Sequence, residues 1–244
     1  LRCLVGSEMC IRDRSSYASD GIGNPLTHGL YNLTWEGRKL VRMEANGGQS
    51  DYRFAYNADG IRTSKTVGGQ EHRYLLNGSQ IVAEEFGIYC LVYLYDENGA
   101  PIGMQYRTQS MAAGEFQDYF FEKNLQGDII AVYNAAGEKI GTYTYDAWGN
   151  FTFSTASDAT TVEKRIVRTY NPFRYRGYYY DTETGLYYLQ SRYYDPEWGR
   201  FLNADGYINA NGTLTGYNMF AYCDNNPVMY VDPSGHFAIC TFLI

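Results

Sequence analysis

Along most of the chain, large apolar side chains alternate with polar or small ones over short runs, as in Phe54-Ala55-Tyr56, Tyr93-Leu94-Tyr95 and Tyr143-Thr144-Tyr145. Residues two apart share one face of a strand, so this period predicts strands with two distinct faces. Between the runs a short unit recurs: Asp or Asn, two residues of any kind, then Gly. It stands at Asn57–Gly60, Asp96–Gly99, Asn124–Gly127, Asn134–Gly137 and Asp146–Gly149, with longer forms at Asp181–Gly185 and Asp195–Gly199. Asp or Asn in the first position bonds the turn backbone with its own side chain, and Gly in the last takes up a left-handed conformation. A type I turn followed by such a residue is a common hairpin connection. In six of the seven units a tyrosine stands just before the Asx: Tyr56, Tyr95, Tyr133, Tyr145, Tyr180 and Tyr194. The chain therefore reads as strand, tight turn, strand, repeated at irregular intervals. That is an all-β protein that barely needs helices.

Composition agrees with that reading. The 244 residues include 26 Tyr, 26 Gly and 6 Pro, with 45 % hydrophobic and 19 % charged residues, a globular balance rather than a disordered one. Aromatic residues suit a pleated surface. The net charge of −7 lacks the basic footprint of a nucleic-acid binder, so no nucleic-acid partner is expected. No apolar run approaches the ~20 residues of a membrane-spanning helix.

The first fourteen residues share nothing with the rest. Val5–Asp13, V-G-S-E-M-C-I-R-D, resembles the translation of a transposase adapter used in sequencing libraries, so residues 1–14 are set apart from fold reasoning. A signal peptide fits poorly, because Glu8, Arg12, Asp13 and Arg14 interrupt any apolar core. Without this segment 17 basic and 25 acidic residues remain, and Cys3 and Cys10 drop out. Cys90, Cys223 and Cys240 then form neither a metal motif nor a disulfide framework. The adapter also implies that the natural N-terminus lies elsewhere. His28, His72 and His236 have no Ser, Cys or carboxylate at a telling spacing, and no metal or cofactor is expected. Gly47-Gly48 and Gly68-Gly69 read as turns rather than phosphate loops.

The recurrent Tyr-Asx turn resembles the YD repeats of the bacterial RHS family. A longer ordered block is more specific. Arg174-Tyr175-Arg176-Gly177-Tyr178-Tyr179-Tyr180-Asp181 leads to Gly185-Leu186-Tyr187-Tyr188-Leu189-Gln190-Ser191-Arg192-Tyr193-Tyr194-Asp195-Pro196. It continues through Gly199-Arg200-Phe201, Asn218–Tyr222 and Asn226-Pro227 to Val231-Asp232-Pro233-Ser234-Gly235, and is similar to the RHS repeat-associated core. The resemblance implies an antiparallel β-hairpin strip forming part of a spiralling hollow shell, plugged at one end by the core. A variable, often toxic, C-terminal cargo would lie inside. On this basis residues 15–165 are the strip, 166–235 the core and 236–244 the start of the variable region or a truncation. The soft boundary falls in the polar stretch Ser154–Val162. The implied partners are the cargo polypeptide in cis and a missing N-terminal shell, and the implied location is secreted or on the bacterial cell surface.

In several family members the core is an aspartyl autoprotease. Such chemistry needs two carboxyl groups sharing one proton, one to activate water and one to protonate the carbonyl. Asp195, Asp205, Asp224 and Asp232 are the core candidates. The resemblance points to Asp205 and, less directly, Asp232, with Arg200 nearby in sequence as support, and to a cut shortly after Gly235. Two features depart from the family: Asp205 is followed by Gly206-Tyr207 instead of a D-P-x-G run, and His236 stands where Leu is common at the cut. Asp195 and Asp232 also read as turn-capping residues. A third alternative makes the tyrosines rows facing glycan or choline. Against it, aromatics at strand period more often stabilise a sheet. Trp35, Trp148 and Trp198, each near a glycine, suit the capping of hairpin ends.

Overall fold

The computed structural model describes residues 18–207 and 217–240; the adapter-like residues 1–14 lie outside them. Thirteen strands run in sequence order, each antiparallel to the next. They are β1 (Thr27–His28), β2 (Tyr31–Glu36), β3 (Lys39–Ala45), β4 (Asp51–Tyr56), β5 (Arg62–Val67), β6 (Gln70–Asn77) and β7 (Gln80–Phe86). The sheet continues with β8 (Tyr89–Tyr95), β9 (Pro101–Thr108), β10 (Gln117–Lys123), β11 (Ile129–Asn134), β12 (Lys139–Tyr145) and β13 (Phe151–Thr155). This is a meander of hairpins, the all-β strip that the alternation predicts. One face buries Leu33, Met43, Phe54, Leu91, Met104, Tyr119 and Tyr143 in a continuous core.

The predicted turn chemistry is what closes the hairpins. The Oδ1 atoms of Asn57, Asp96, Asn124, Asn134 and Asp146 each accept the N–H four residues on, at 2.9–3.0 Å. The glycine of each unit has φ between +79° and +92°, which a Cβ would resist. The preceding tyrosine has its own task. Tyr56, Tyr95 and Tyr145 donate their hydroxyls to the carbonyls of Leu40, Ile81 and Ile129 at 2.6–2.7 Å. Each acceptor sits beside a one-residue slip in the register of the preceding hairpin. A bulge interrupts the ladder, and the tyrosine hydroxyl supplies a donor there.

After β13 a capping box (Thr160 with Glu163) starts the short helix α1 (Thr161–Arg165), which runs into a π-helical turn, Ile166–Tyr170. Ile166 and Val167 are buried against the strip. Gly141 leaves the room: a Cβ there would lie 2.6 Å from a Val167 methyl. A second sheet follows, of β14 (Tyr179–Asp181), β15 (Leu186–Leu189), β16 (Arg192–Asp195) and β17 (Arg200–Phe201), and then the pair β18 (Tyr230–Val231) and β19 (Ile239–Cys240).

This second unit docks on the turn-bearing edge of the strip. Tyr175, Tyr194 and Tyr187 donate to the successive carbonyls of Ala147, Trp148 and Gly149 at 2.8, 2.6 and 2.9 Å. Gly149 is required there, since a Cβ would sit 2.8 Å from the Tyr175 ring. Gly199 likewise faces Trp148.

Candidate functional site

The strongest tie between strip and core is a buried ion pair. Arg62 on β5 and Asp181 on β14 have no exposed surface, and the guanidinium forks onto the carboxylate at 2.6 and 3.1 Å. Phe54, Tyr74, Tyr179, Tyr188 and Tyr193 surround the cation, with ring centroids 4.2–5.8 Å away. Lys65 adds a second cation, 3.0 Å from Asp181 and 2.8 Å from Glu183. The tyrosines that could form a cation-binding cage thus already hold the protein's own arginine.

A second buried cluster lies where the last turn of the core meets the β15–β16 hairpin. That hairpin turns in two residues, Gln190 and Ser191, with Gln190 at φ +59°. Arg192, the first residue of β16, points into the cluster. Its Nη2 lies 3.0 Å from Asp205 Oδ2 and 3.3 Å from Asp232 Oδ2, and its Nη1 donates to the Met219 carbonyl at 3.1 Å. Its Nε donates to the Gly235 carbonyl. The guanidinium carbon stands 3.5 Å from the centre of the Phe201 ring. Arg192, Asp205 and Asp232 are each at most 5 % exposed.

Asp232 is also the anchor of a turn. Its backbone N–H donates to the Tyr178 hydroxyl at 2.9 Å. Its Oδ1 accepts the N–H groups of Gly235, His236 and Phe237 at 2.8, 3.0 and 3.2 Å. Asp205 Oδ1 accepts from Tyr207 N–H at 3.0 Å and lies 2.9 Å from His236 Nδ1. Ser191 Oγ is 2.7 Å from the Ser234 carbonyl oxygen and 3.0 Å from that of Gly235. Burial pushes the Asp232 carboxyl up, opposed by Arg192 and the three backbone donors. Burial also lowers Arg192, against the pull of both carboxylates.

The Gly235–His236 peptide bond is therefore held at both ends. Its carbonyl oxygen faces Arg192 and Ser191, its nitrogen faces Asp232, and the His236 side chain meets Asp205. Asp205 and Asp232, which sequence reasoning proposed, share one cation. Arg200, proposed beside them, is elsewhere: it pairs in register with Asp195 across β16–β17 and acts on the Asp195 charge. Arg192 takes the place given to Arg200, because the fold brings the start of β16, rather than the start of β17, against the last turn. A signal was available, since a lone Arg opening an aromatic strand, Arg192-Tyr193-Tyr194, marks a buried charge that needs partners.

The histidines, isolated in sequence, each meet a carboxylate in space. His28 is 3.2 Å from Asp195, His72 is 2.6 Å from Glu84, and His236 joins Asp205. Sequence spacing carries no sign of these pairs, because each joins segments that only the fold brings together. Among the described residues no three His, Cys, Asp or Glu side chains are grouped for a metal ion. Cys90, Cys223 and Cys240 are free thiols. No described helix is long and apolar enough to cross a membrane.

The chain is thus an antiparallel hairpin strip with a tyrosine-rich unit docked along its turn-bearing edge. No protein-family model matches the chain. It is 35 % identical over 228 residues to the tRNA nuclease WapA of Bacillus subtilis (strain 168), covering 91 % of this chain and 9 % of the relative. It is 32 % identical over 227 residues to the double-stranded DNA deaminase toxin A of Burkholderia cenocepacia (strain H111), covering 83 % of this chain and 15 % of the relative. The crystal structure of TcdB2-TccC3-TEV superposes with a TM-score of 0.68 at 23 % identity, over 87 % of this chain and 10 % of that one. That likeness establishes the shared fold. The chain belongs to the RHS family. It spans about a tenth of the length of the first of these relatives.

Proposed function

We propose that this chain is part of a delivery shell, wall and end piece together, that encloses a polypeptide cargo following the core. We further propose that the core cuts its own chain after Gly235. The toxin and nuclease names of the relatives support the first statement. A secreted or cell-surface location and a cargo in cis belong to the same proposal. One observation carries the second: the Gly235–His236 bond lies in contact with Asp232, Arg192 and, through the His236 side chain, Asp205.

In the reaction, a water attacks the Gly235 carbonyl carbon and gives a proton to Asp205. Negative charge develops on the carbonyl oxygen, against Arg192 Nε. As the tetrahedral carbon forms, the His236 nitrogen pyramidalises and turns its N–H off Asp232 Oδ1. The C–N bond then breaks as the Asp232 carboxyl, whose affinity for a proton burial raises, protonates the nitrogen lone pair. The products are a Gly235 carboxylate and a new amino terminus at His236. Intact mass of the full chain at rising incubation times tests this. Wild type should lose the piece beginning at His236, and both Asp205→Asn and Asp232→Asn should stay whole. A cut that persists in either variant removes that residue from the reaction.

A further inference from the structure

The β15–β16 turn does more than deliver Arg192. We infer that Ser191 is a second catalytic donor to the Gly235 carbonyl oxygen, and that this turn admits only glycine at the cut; the inference rests on the proposed self-cleavage. Two observations carry it. Ser191 Oγ lies between two acceptors, 2.7 Å from the Ser234 carbonyl oxygen and 3.0 Å from that of Gly235. A hydroxyl has a single proton to give. In the uncut chain the shorter contact, to Ser234, holds it. Once water adds to the Gly235 carbonyl carbon, that oxygen carries the negative charge, and the proton gains more by turning to it. An interaction stronger in the transition state than before it is what accelerates a step. Arg192 Nε already faces the same oxygen, so the two neighbouring residues form a two-donor cradle.

The cradle also reads its substrate. Gly235 has φ +77°, and a Cβ there would lie 2.6 Å from Ser191 Oγ, 2.7 Å from the Leu189 carbonyl oxygen and 3.3 Å from the Arg192 nitrogen. Backbone on two sides cannot yield, so a side chain at 235 would push the carbonyl out of reach of both donors. The non-glycine left-handed residue Gln190 sets this geometry, since it brings Ser191 and Arg192 round in two residues.

The test measures the rate of self-cleavage by intact mass in the full chain for wild type, Ser191→Ala, Ser191→Thr and Asp205→Asn, with thermal unfolding of each alongside. Ser191→Ala should slow the cut by about 100-fold, the usual scale for one lost donor, with only the small fall in melting temperature that loss of the hydrogen bond to Ser234 brings. Ser191→Thr, which keeps the hydroxyl, should retain most of the rate. A Ser191→Ala chain that is cut as fast as wild type, while Asp205→Asn is not cut, overturns the role of Ser191 and leaves the self-cleavage reading standing. A wild type that is never cut overturns both.

Discussion

Asp232 Oδ1 lies 3.0 Å from the backbone nitrogen of His236, and the same oxygen accepts the Gly235 N–H at 2.8 Å. The residue proposed to protonate the leaving nitrogen is thus also the residue that folds the turn. The side-chain oxygens of Asn57 and Asp146 close their turns in the strip in the same way.

The two roles separate by substitution. Asp232→Asn keeps an oxygen acceptor for the three N–H groups but cannot carry the proton, so it should fold like wild type and stay uncut. Asp232→Ala removes both and leaves buried donors unpaired, so its free energy of unfolding should fall by about 1–3 kcal/mol. Equal stability of the two variants in urea would show that the turn does not depend on the side chain.

Arg62 and Asp181 join the strip to the core without any solvent contact. Removing one partner strands the other charge, so Asp181→Ala should cost about 3–5 kcal/mol. Arg62→Lys retains charge but not the planar fork, and should lose less. Chemical denaturation followed by tyrosine fluorescence reads both. A loss below 1 kcal/mol for Asp181→Ala, well under that range, would mean that the core docks by its tyrosines alone.

Gly149 and Gly137 hold the same place in two turns, with φ of +92° and +80°. Each pays the left-handed penalty on substitution by alanine, about 1 kcal/mol. Only at 149 would the new Cβ strike the Tyr175 ring, while nothing lies within 4 Å at 137. Gly149→Ala should therefore be clearly the more destabilising of the two in thermal melts. Equal losses would contradict the docking of the core on that turn.

His28 and Asp195 give a pH signature of opposite signs. Burial pushes Asp195 up to about 6 and His28 down to about 4. A raised carboxyl binds its proton more tightly folded than unfolded, so its stabilisation is present at low pH and is lost as pH rises through about 6. A depressed imidazole does the reverse, and its stabilisation is lost as pH falls through about 4. Between these values the two slopes oppose each other in the wild type. Relative to wild type, His28→Gln should lose stability as pH rises from about 4 to 6, and Asp195→Asn should lose it as pH falls over the same range. Urea midpoints at a series of pH values check the signs, and parallel curves for all three proteins would show that burial does not shift these two groups. Glu197 and Arg200 act on the same carboxyl and are present in all three.

The features legible in the sequence are the local ones. Asn57, Asp96, Asn124, Asn134 and Asp146 carry their turn within four residues, and period-two alternation carries the strands. The tyrosines before those turns are visible, but their bonds to bulge carbonyls are not, because a register slip belongs to two strands at once. Arg62–Asp181 and Arg192–Asp205 join segments that only the docking of core on strip brings together. Asp205 and Asp232 follow from the resemblance of the core block, whereas nearness along the chain points to Arg200. A hairpin reverses that nearness, and puts Arg192 in the cluster instead.

Self-cleavage in water enriched in heavy oxygen tests the central claim most directly. Hydrolysis of the Gly235–His236 bond places one solvent oxygen in the new carboxylate. Mass analysis of the cut core should find its C-terminus at Gly235 with one heavy oxygen atom, and the released piece starting at His236 without label. A chain that stays whole, or a cut at another bond, would contradict the account.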